Sequence, residues 1–270
     1  MRKSYVKRVL HIRENHLAEN HLETANSLNC LANLYYHQSR YSEAAPLYQR
    51  ALYIRETNLG KIHLEVSTIL NSLANLYYRQ SHYDKAVPLY QRALHINKTL
   101  FGADHPNMLV GLNNLADLYK DQGRYDEAEP LYRQALYIKE IQLEDDDLSI
   151  TTSLNSLAYL FYIQERYDEA ELLTQRALYI RESKLGEDDP NTNISVNNLA
   201  DLYRFMGKIS ESEALYVRSL ESYISNDPYA LMETCQNNFR SLIEQAVSIG
   251  QTGELSNHPM TQSILQDLSA

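Results

Sequence analysis

The chain has 270 residues, 44% of them hydrophobic, and a formal net charge of −10. This apolar content suits a packed core and excludes a disordered chain, while the acidic balance argues against a nucleic-acid-binding surface, which needs clustered Lys and Arg. Two cysteines without a CxxC pattern, Cys30 and Cys235, predict reduced thiols in a cytoplasmic protein. No apolar run approaches the roughly 18 residues of a membrane span, so we expect no membrane association.

Two short patterns recur every 42 residues along the chain. The first reads Leu-Asn-Asn-Leu-Ala-Asp-Leu-Tyr at residues 112–119 and has counterparts that begin at Leu28, Leu70, Leu154 and Val196. The second reads Tyr-Asp-Glu-Ala-Glu-Pro-Leu-Tyr at residues 125–132 and has counterparts that begin at Tyr41, Tyr83, Tyr167 and Ile209. Uninterrupted self-similarity of this kind predicts a repeat array, and such arrays build extended surfaces rather than catalytic clefts.

The repeats divide the whole chain into predicted elements. Residues 1–14 match the second half of a later repeat and form a partial repeat with a second helix only. Full repeats follow at residues 22–63, 64–105, 106–147, 148–189 and 190–227, then a capping helix at 228–249 and a polar tail at 250–270. Asp147, Asp189 and Asp227 each precede a predicted helix start.

Each repeat is predicted to be a pair of antiparallel helices. In residues 106–147, Pro106 suits the first helical position, the apolar residues follow helical spacing, and Gly123 ends the first helix. Asp126 is a candidate N-cap of the second helix, with Glu129 completing a capping box. Each helix would have roughly 16 residues and a length of about 24 Å. One helix pair cannot bury both its faces, so neighbouring pairs must stack.

The small and aromatic residues of these patterns resemble the tetratricopeptide repeat, and the 42-residue period is similar to that of kinesin light chains. Residues 100–106, Leu-Phe-Gly-Ala-Asp-His-Pro, are especially similar to that subfamily. The resemblance implies an all-α, right-handed superhelical solenoid of antiparallel helix pairs. It also implies that the first helices line a concave groove and that the chain is a non-enzymatic scaffold for a protein or peptide partner.

Candidate partner-binding residues fall at repeated positions of the first helices. One asparagine recurs in every repeat, and an amide that both donates and accepts suits an extended peptide backbone; the alternative is that these amides fix the stacking of repeats. One turn on, the residues vary as specificity positions would, and a further turn gives aromatic and charged side chains. The asparagine column is Asn29, Asn71, Asn113, Asn155 and Asn197; the variable positions are Asn33, Asn75, Asp117, Tyr159 and Asp201; the last group is Tyr36, Tyr78, Tyr162, Arg79, Lys120 and Arg204.

No catalytic, cofactor-binding or metal-binding motif is apparent in the sequence, so we expect no enzyme activity and no cofactor. Eighteen of the 22 tyrosines occupy five repeated columns, which favours packing. An alternative function is a structural or sensor arm of a larger protein, either a signalling NTPase or a cargo adaptor similar to kinesin light chains. A third hypothesis is stacking of two copies through the partial repeat at 1–14.

Overall fold

The computed structural model describes residues 2–17, 20–226 and 229–269, and within these ranges the regular structure is helical. The chain divides into two compact units, Met1–Ile138 and Lys139–Ala270, called unit 1 and unit 2 below. Unit 1 contains α1 (Arg2–His16), α2 (Leu22–His37), α3 (Tyr41–Leu59), α4 (Leu64–Arg79), α5 (Tyr83–Phe101) and α6 (Leu109–Asp121), and α7 (Tyr125–Glu140) ends two residues beyond its limit. Unit 2 contains α8 (Ile150–Ile163), α9 (Tyr167–Leu185), α10 (Pro190–Phe205), α11 (Ile209–Asn226), α12 (Tyr229–Ser248) and α13 (Pro259–Ser269).

Five residues spaced 42 apart accept a hydrogen bond from the backbone N–H two residues on, at the start of each repeat. His21, His63 and His105 accept through Nδ1 at 3.1–3.2 Å, and Asp147 and Asp189 accept through a carboxylate oxygen at 2.7 and 2.8 Å. These bonds satisfy donors that a helix start leaves unpaired. Asp189 is therefore the predicted N-cap, whereas Asp227 lies outside the described residues.

Two predicted helix starts differ from the structure. The helix expected at Pro106 begins with a short 3-10 turn over Pro106–Met108 before α6, and α8 begins only at Ile150, beyond Asp147. Asp126 is not an N-cap, because α7 already starts at Tyr125 and Asp126 lies inside its first turn. Glu129 pairs with Arg133 one turn later in place of the expected capping box.

Every turn between the two helices of a repeat uses one residue in the left-handed conformation. These residues are Ser39, Ser81, Gly123, Glu165 and Gly207, with φ between 56° and 74°. The next residue donates its N–H to the carbonyl five positions back, as in Arg124 N to Tyr119 O at 2.8 Å. This bond closes the helix C-terminus as in a Schellman motif. Gly123 thus ends α6 as predicted.

Glycine also sets the length of the second helices. Gly60, Gly102 and Gly186, with φ of 83–92°, cap α3, α5 and α9, each of 19 residues. Glu144 occupies the corresponding position after α7, and that helix ends at Glu140 after 16 residues. The expected uniform length of roughly 16 residues is therefore wrong, since observed α-helices of the full repeats range from 13 to 19 residues.

Successive repeats are joined by a side chain that recurs every 42 residues near the end of each second helix. It donates to the backbone carbonyl ten residues later, at or just before the start of the next first helix. The five bonds are Arg13–Glu23, Arg55–Glu65 and Asn97–Asn107 in unit 1, and Lys139–Ser149 and Arg181–Asn191 in unit 2, at 2.6–3.2 Å. The same bond thus forms in all five places, although the donor and acceptor residues are of four different combinations.

Four of the five tyrosine columns are buried or half-buried in helix contacts. Tyr48, Tyr90, Tyr132 and Tyr216 are at most 2% exposed, and the hydroxyls of Tyr77, Tyr119 and Tyr203 accept hydrogen bonds from glutamines of the preceding second helix. The fifth column differs, because Tyr53, Tyr137 and Tyr179 are 49–68% exposed on second helices. The prediction of packing is wrong for this column.

Residues 250–269, expected to be a polar tail, are a docked segment. The buried carboxylate of Glu213 in α11 accepts hydrogen bonds from the Ser256 N–H and hydroxyl at 2.7 and 2.6 Å and from the Thr261 hydroxyl at 2.5 Å. Met260, Ile264 and other apolar residues pack on the core of α11 and α12. Polar side chains that were expected to be solvated therefore fix this segment in place.

Candidate functional site

The predicted binding residues of unit 1 lie along one side of α2, α4 and α6, which we call the first-helix face of unit 1. Asn29, Asn33 and Tyr36 follow the spacing i, i+4, i+7, which puts them on one stripe of α2. Asn71, Asn75 and Tyr78 do the same on α4, and Asn113, Asp117 and Lys120 on α6. Unit 2 carries the corresponding stripes on α8 and α10.

The asparagine column is partly buried, and its amides are not saturated with partners. The side-chain oxygens of Asn29, Asn71 and Asn197 are buried without a hydrogen-bond donor. Asn71 is only 9% exposed, whereas Asn197 donates through Nδ2 to the Tyr223 hydroxyl at 3.1 Å. Buried acceptors without a donor cost free energy, so they are candidates for completion by a partner.

Four of the five variable positions one turn on, all except Tyr159, accept a hydrogen bond from a buried tyrosine. Tyr48 donates its hydroxyl proton to Asn33, Tyr90 to Asn75, Tyr132 to Asp117 and Tyr216 to Asp201, always 15 residues apart. Burial raises the pKa of each of these phenols, which keeps them protonated as donors. The bonds fix the orientation of the amide or carboxylate on the first-helix face.

A second regular contact runs between neighbouring first helices, from each aromatic residue to the residue 43 positions later. Tyr36 forms a hydrogen bond with Arg79, which raises the pKa of that guanidinium, and Tyr78 donates to Asp121. In unit 2, Tyr162 packs edge-on against Phe205 with ring centroids 5.1 Å apart. The chemistry of this contact therefore changes from cationic to anionic within unit 1 and is aromatic in unit 2.

The charged residues of the third turn fall into two columns rather than the single group expected. Lys120 and Arg204 share a column with Tyr36, Tyr78 and Tyr162, whereas Arg79 shares one with Asp121 and Phe205. Lys120 Nζ lies 3.1 Å from Asp117 Oδ1 and 3.8 Å from Asp121 Oδ1. Unit 1 therefore pairs its predicted binding charges with each other.

Unit 2 interrupts the tyrosine column and contains a pocket at that point. Thr174 of α9 stands where the other four full repeats have the buried tyrosine, and its hydroxyl donates to Ala170 O at 2.8 Å. The pocket has a volume of about 380 Å³. Its lining residues come from four helices: Asn155, Ala158, Tyr159, Tyr162, Ala170, Thr174, Asn198, Asp201, Leu202, Arg204, Phe205 and Asn238.

The polar groups of the pocket are centred on Asp201. Its Oδ1 accepts from Tyr216, and its Oδ2 accepts from Asn238 Nδ2 at 3.1 Å. Burial raises the pKa of the Asp201 carboxyl, against the opposing effect of these bonds and of Arg204. The Arg204 guanidinium stacks on Phe205 at 4.3 Å, and its Nε–H is buried without an acceptor.

Sequence reasoning missed Thr174, Phe205, Asn198 and Asn238 as parts of a site. Thr174 was detectable, because it is the one break in the column Tyr48, Tyr90, Tyr132, Tyr216. Phe205 was detectable as the aromatic member of the column that contains Arg79 and Asp121. Asn238 had no such signal, since it reaches Asp201 from α12, where the repeat pattern is degenerate.

Nothing in the described ranges suggests a metal centre or a membrane span. Among residues 2–17, 20–226 and 229–269, no group of three or more His, Cys, Asp or Glu is arranged to hold a metal ion. None of the described helices is both long enough and apolar enough to cross a bilayer. Cys30 and Cys235 are free thiols, and burial raises the pKa of the Cys235 thiol to about 11.

The stacked antiparallel helix pairs with repeated caps, turns and inter-repeat bonds define an all-α solenoid, as predicted. The tetratricopeptide repeat family model matches residues 23–99, 65–141 and 149–225. The chain belongs to the tetratricopeptide repeat family, whose members are generally non-enzymatic protein-interaction scaffolds.

Solved structures show the same fold. BtubC (BKLC) from P. vanneervenii has a TM-score of 0.70 and 24% identity, over 84% of this chain and 91% of that one. A kinesin light chain-like protein of Podosopora anserina with nearly identical TPR-like repeats has a TM-score of 0.70 and 23% identity, over 77% of this chain and 99% of that one. No curated protein sequence matches. The similarity to kinesin light chain-like repeats is thereby confirmed at the level of fold.

Proposed function

We propose that this chain is a non-enzymatic scaffold in the cytoplasm whose first-helix faces bind an extended segment or a helix of a partner protein. The observation that supports this most directly is the asparagine column, which places one amide in each repeat; in three repeats, at Asn29, Asn71 and Asn197, the buried side-chain oxygen has no hydrogen-bond donor within the chain. An extended segment offers a backbone N–H and carbonyl at regular intervals, so it complements a column of amides without demanding one sequence.

The surrounding side chains support the same proposal. Asn33, Asn75, Asp117 and Asp201 are fixed by tyrosine hydroxyls, so they are already ordered before a partner binds. Binding to fixed groups loses less conformational entropy than binding to mobile ones. Their identity differs from repeat to repeat, which would provide selectivity along the bound segment.

The test is an affinity capture from extract with the wild-type chain and with Asn113→Ala and Asn155→Ala, separately and combined. We expect captured partners to be lost from the double variant while helix content and melting temperature are kept. The control is the pair Tyr53→Ala and Tyr179→Ala, which truncates exposed side chains of second helices and should leave capture unchanged.

Two outcomes would contradict the proposal. A double asparagine variant that loses stability to the same extent as binding would assign these amides to repeat stacking. Loss of capture in the tyrosine control alone would move the binding surface to the second helices.

A further inference from the structure

The pocket of unit 2 lies beside Thr174, at the position from which a tyrosine ring extends in the other full repeats. Tyr48, Tyr90, Tyr132 and Tyr216 each extend from a second helix toward the first helix and end with the hydroxyl on an amide or carboxylate. Thr174 has a shorter side chain, and it lines the pocket together with Ala170. The residue 15 positions before Thr174 is Tyr159, so the carboxylate that lines this pocket is Asp201 of the following first helix.

The walls of the pocket suit an aromatic ring. Tyr162 and Phe205 contact each other edge-on across 5.1 Å and both line the pocket. Phe205 is 44% exposed, which is costly for an aromatic side chain and is relieved when another ring packs against it.

The polar end of the pocket suits a hydroxyl group. Asp201 accepts two hydrogen bonds, and a carboxylate has about four lone-pair positions, so it retains capacity for another donor. Arg204 offers a buried Nε–H that lacks an acceptor. A group that donates to Asp201 and accepts from Arg204 satisfies both.

We propose that this pocket binds a tyrosine side chain of the partner segment, an inference that rests on the proposed function of the first-helix faces. The phenol supplies the ring for Tyr162 and Phe205, the donor for Asp201 and the acceptor for Arg204. A phenylalanine lacks the hydroxyl. A tryptophan N–H donates but cannot accept, so it leaves the Arg204 Nε–H unpaired.

The direct test uses p-cresol, the side chain of tyrosine as a free molecule, and toluene, the same ring and methyl without the hydroxyl. Each is titrated into the full chain and followed by amide chemical shifts in NMR. We expect p-cresol to shift residues around Thr174 and Asp201, and toluene to bind about a hundredfold more weakly, since it lacks two hydrogen bonds worth about tenfold each. Equal binding of the two, or p-cresol shifts elsewhere, overturns the proposal.

Variants locate the site. In T174Y the protein's own tyrosine ring fills the pocket, so p-cresol binding should be abolished. Thr174→Val keeps the pocket open and should bind p-cresol as the wild type does. If T174Y does not fold, Arg204→Met tests the same proposal, because it removes the Nε–H and should lower the preference for p-cresol over toluene about tenfold, while the bond to Asp201 remains. Unchanged selectivity in Arg204→Met overturns the assignment of the hydroxyl.

A peptide library separates this inference from the proposed function. Extended peptides with one fixed position occupied by Tyr, Phe or Ala are selected on the wild-type chain. Enrichment of the tyrosine set supports both proposals. Selection of peptides without preference for tyrosine overturns the pocket inference and supports groove binding, whereas p-cresol binding with no peptide retained supports the pocket chemistry and overturns groove binding.

Discussion

The two units share one set of repeated bonds and differ at the buried tyrosine position of the second helices. In unit 1, each full repeat has a tyrosine whose hydroxyl reaches the first helix, and the space between its helices is filled. In unit 2, Thr174 leaves that space open as a pocket, while Tyr216 in the next repeat restores the bond. The comparison shows that a shorter side chain at one core position of a repeat coincides with an open pocket.

The first-helix faces also differ in chemistry. Unit 1 presents Arg79, Asp117, Lys120 and Asp121, which are paired with tyrosines or with each other. Unit 2 presents Tyr159, Tyr162 and Phe205 around its pocket. We therefore expect unit 1 to recognise polar groups of a partner and unit 2 to recognise an aromatic one.

The largest expected effect comes from making unit 1 resemble unit 2. Tyr90→Thr removes a fully buried ring and should lower the free energy of unfolding by about 3 kcal/mol, as large-to-small core substitutions do. It should also create a second site for p-cresol. Urea denaturation followed by circular dichroism measures the loss.

The matched control is Thr174→Val, which changes the same column in unit 2 and removes only the hydroxyl that donates to Ala170 O, so it should lower stability by about 1 kcal/mol. A loss below about 1 kcal/mol for Tyr90→Thr would mean that the tyrosine column does not fill the core of unit 1.

The second effect concerns the bonds between successive repeats. Arg55 is 6% exposed and donates to Asn26 Oδ1 at 2.8 Å and Glu65 O at 3.2 Å, so Arg55→Ala should cost about 2 kcal/mol. The half-buried Arg181 makes the corresponding bond in unit 2, and Arg181→Ala should cost about 1 kcal/mol. Thermal unfolding of the two variants, beside the exposed Arg133→Ala, ranks the three; an equal cost for all would remove any special role for this column.

A smaller effect is expected in the turns. Ser81 and Glu165 hold φ of 58° and 59°, a conformation that costs L-residues more than glycine. Ser81→Gly and Glu165→Gly should each raise stability by about 0.5–1 kcal/mol, and Gly123→Ala and Gly207→Ala should each lower it by about 1 kcal/mol. Differential scanning calorimetry of the four variants decides the point, since glycine variants that melt earlier would disprove the role assigned to the backbone.

The smallest effect concerns the charge of Asp201. Burial raises the pKa of Asp201 in the folded state. The carboxyl therefore contributes most to stability at a pH below its pKa in the unfolded chain, and this contribution is lost as the pH rises through its pKa in the folded chain. Asp201→Asn, which keeps an acceptor for Tyr216, should therefore be more stable at neutral pH by less than about 1 kcal/mol. Melting temperatures from pH 4 to 7 should converge at the acid end; a variant less stable throughout would show that the carboxylate is stabilising.

The sequence predicts the solenoid, the helix pairs and several of their ends because these depend on local chemistry that recurs. Gly123 and Asp189 act where a left-handed residue and an N-cap are needed. Asp126 failed as an N-cap, since α7 begins at Tyr125, directly after the turn and two residues before the start that a cap at Asp126 requires. The column of Arg55, Asn97 and Lys139 was not predicted, because different donors perform one task and leave no constant residue to detect.

The candidate site was predictable in position but not in contacts. The sequence places Asn71, Asp117 and Tyr162 on one stripe of each first helix, yet it does not show that the Asn71 oxygen is buried or that Asp117 is held by Tyr132. The pocket depends on an absent side chain at Thr174, and an absence becomes visible only when the repeats are compared column by column.

The bonds that join each second helix to the next repeat span only ten residues of chain. Each repeat therefore carries its whole means of attachment within itself and its immediate neighbour. Duplication or deletion of one 42-residue segment would preserve these bonds. The number of repeats, and the order of polar and aromatic faces among them, can therefore change without a new kind of contact between repeats.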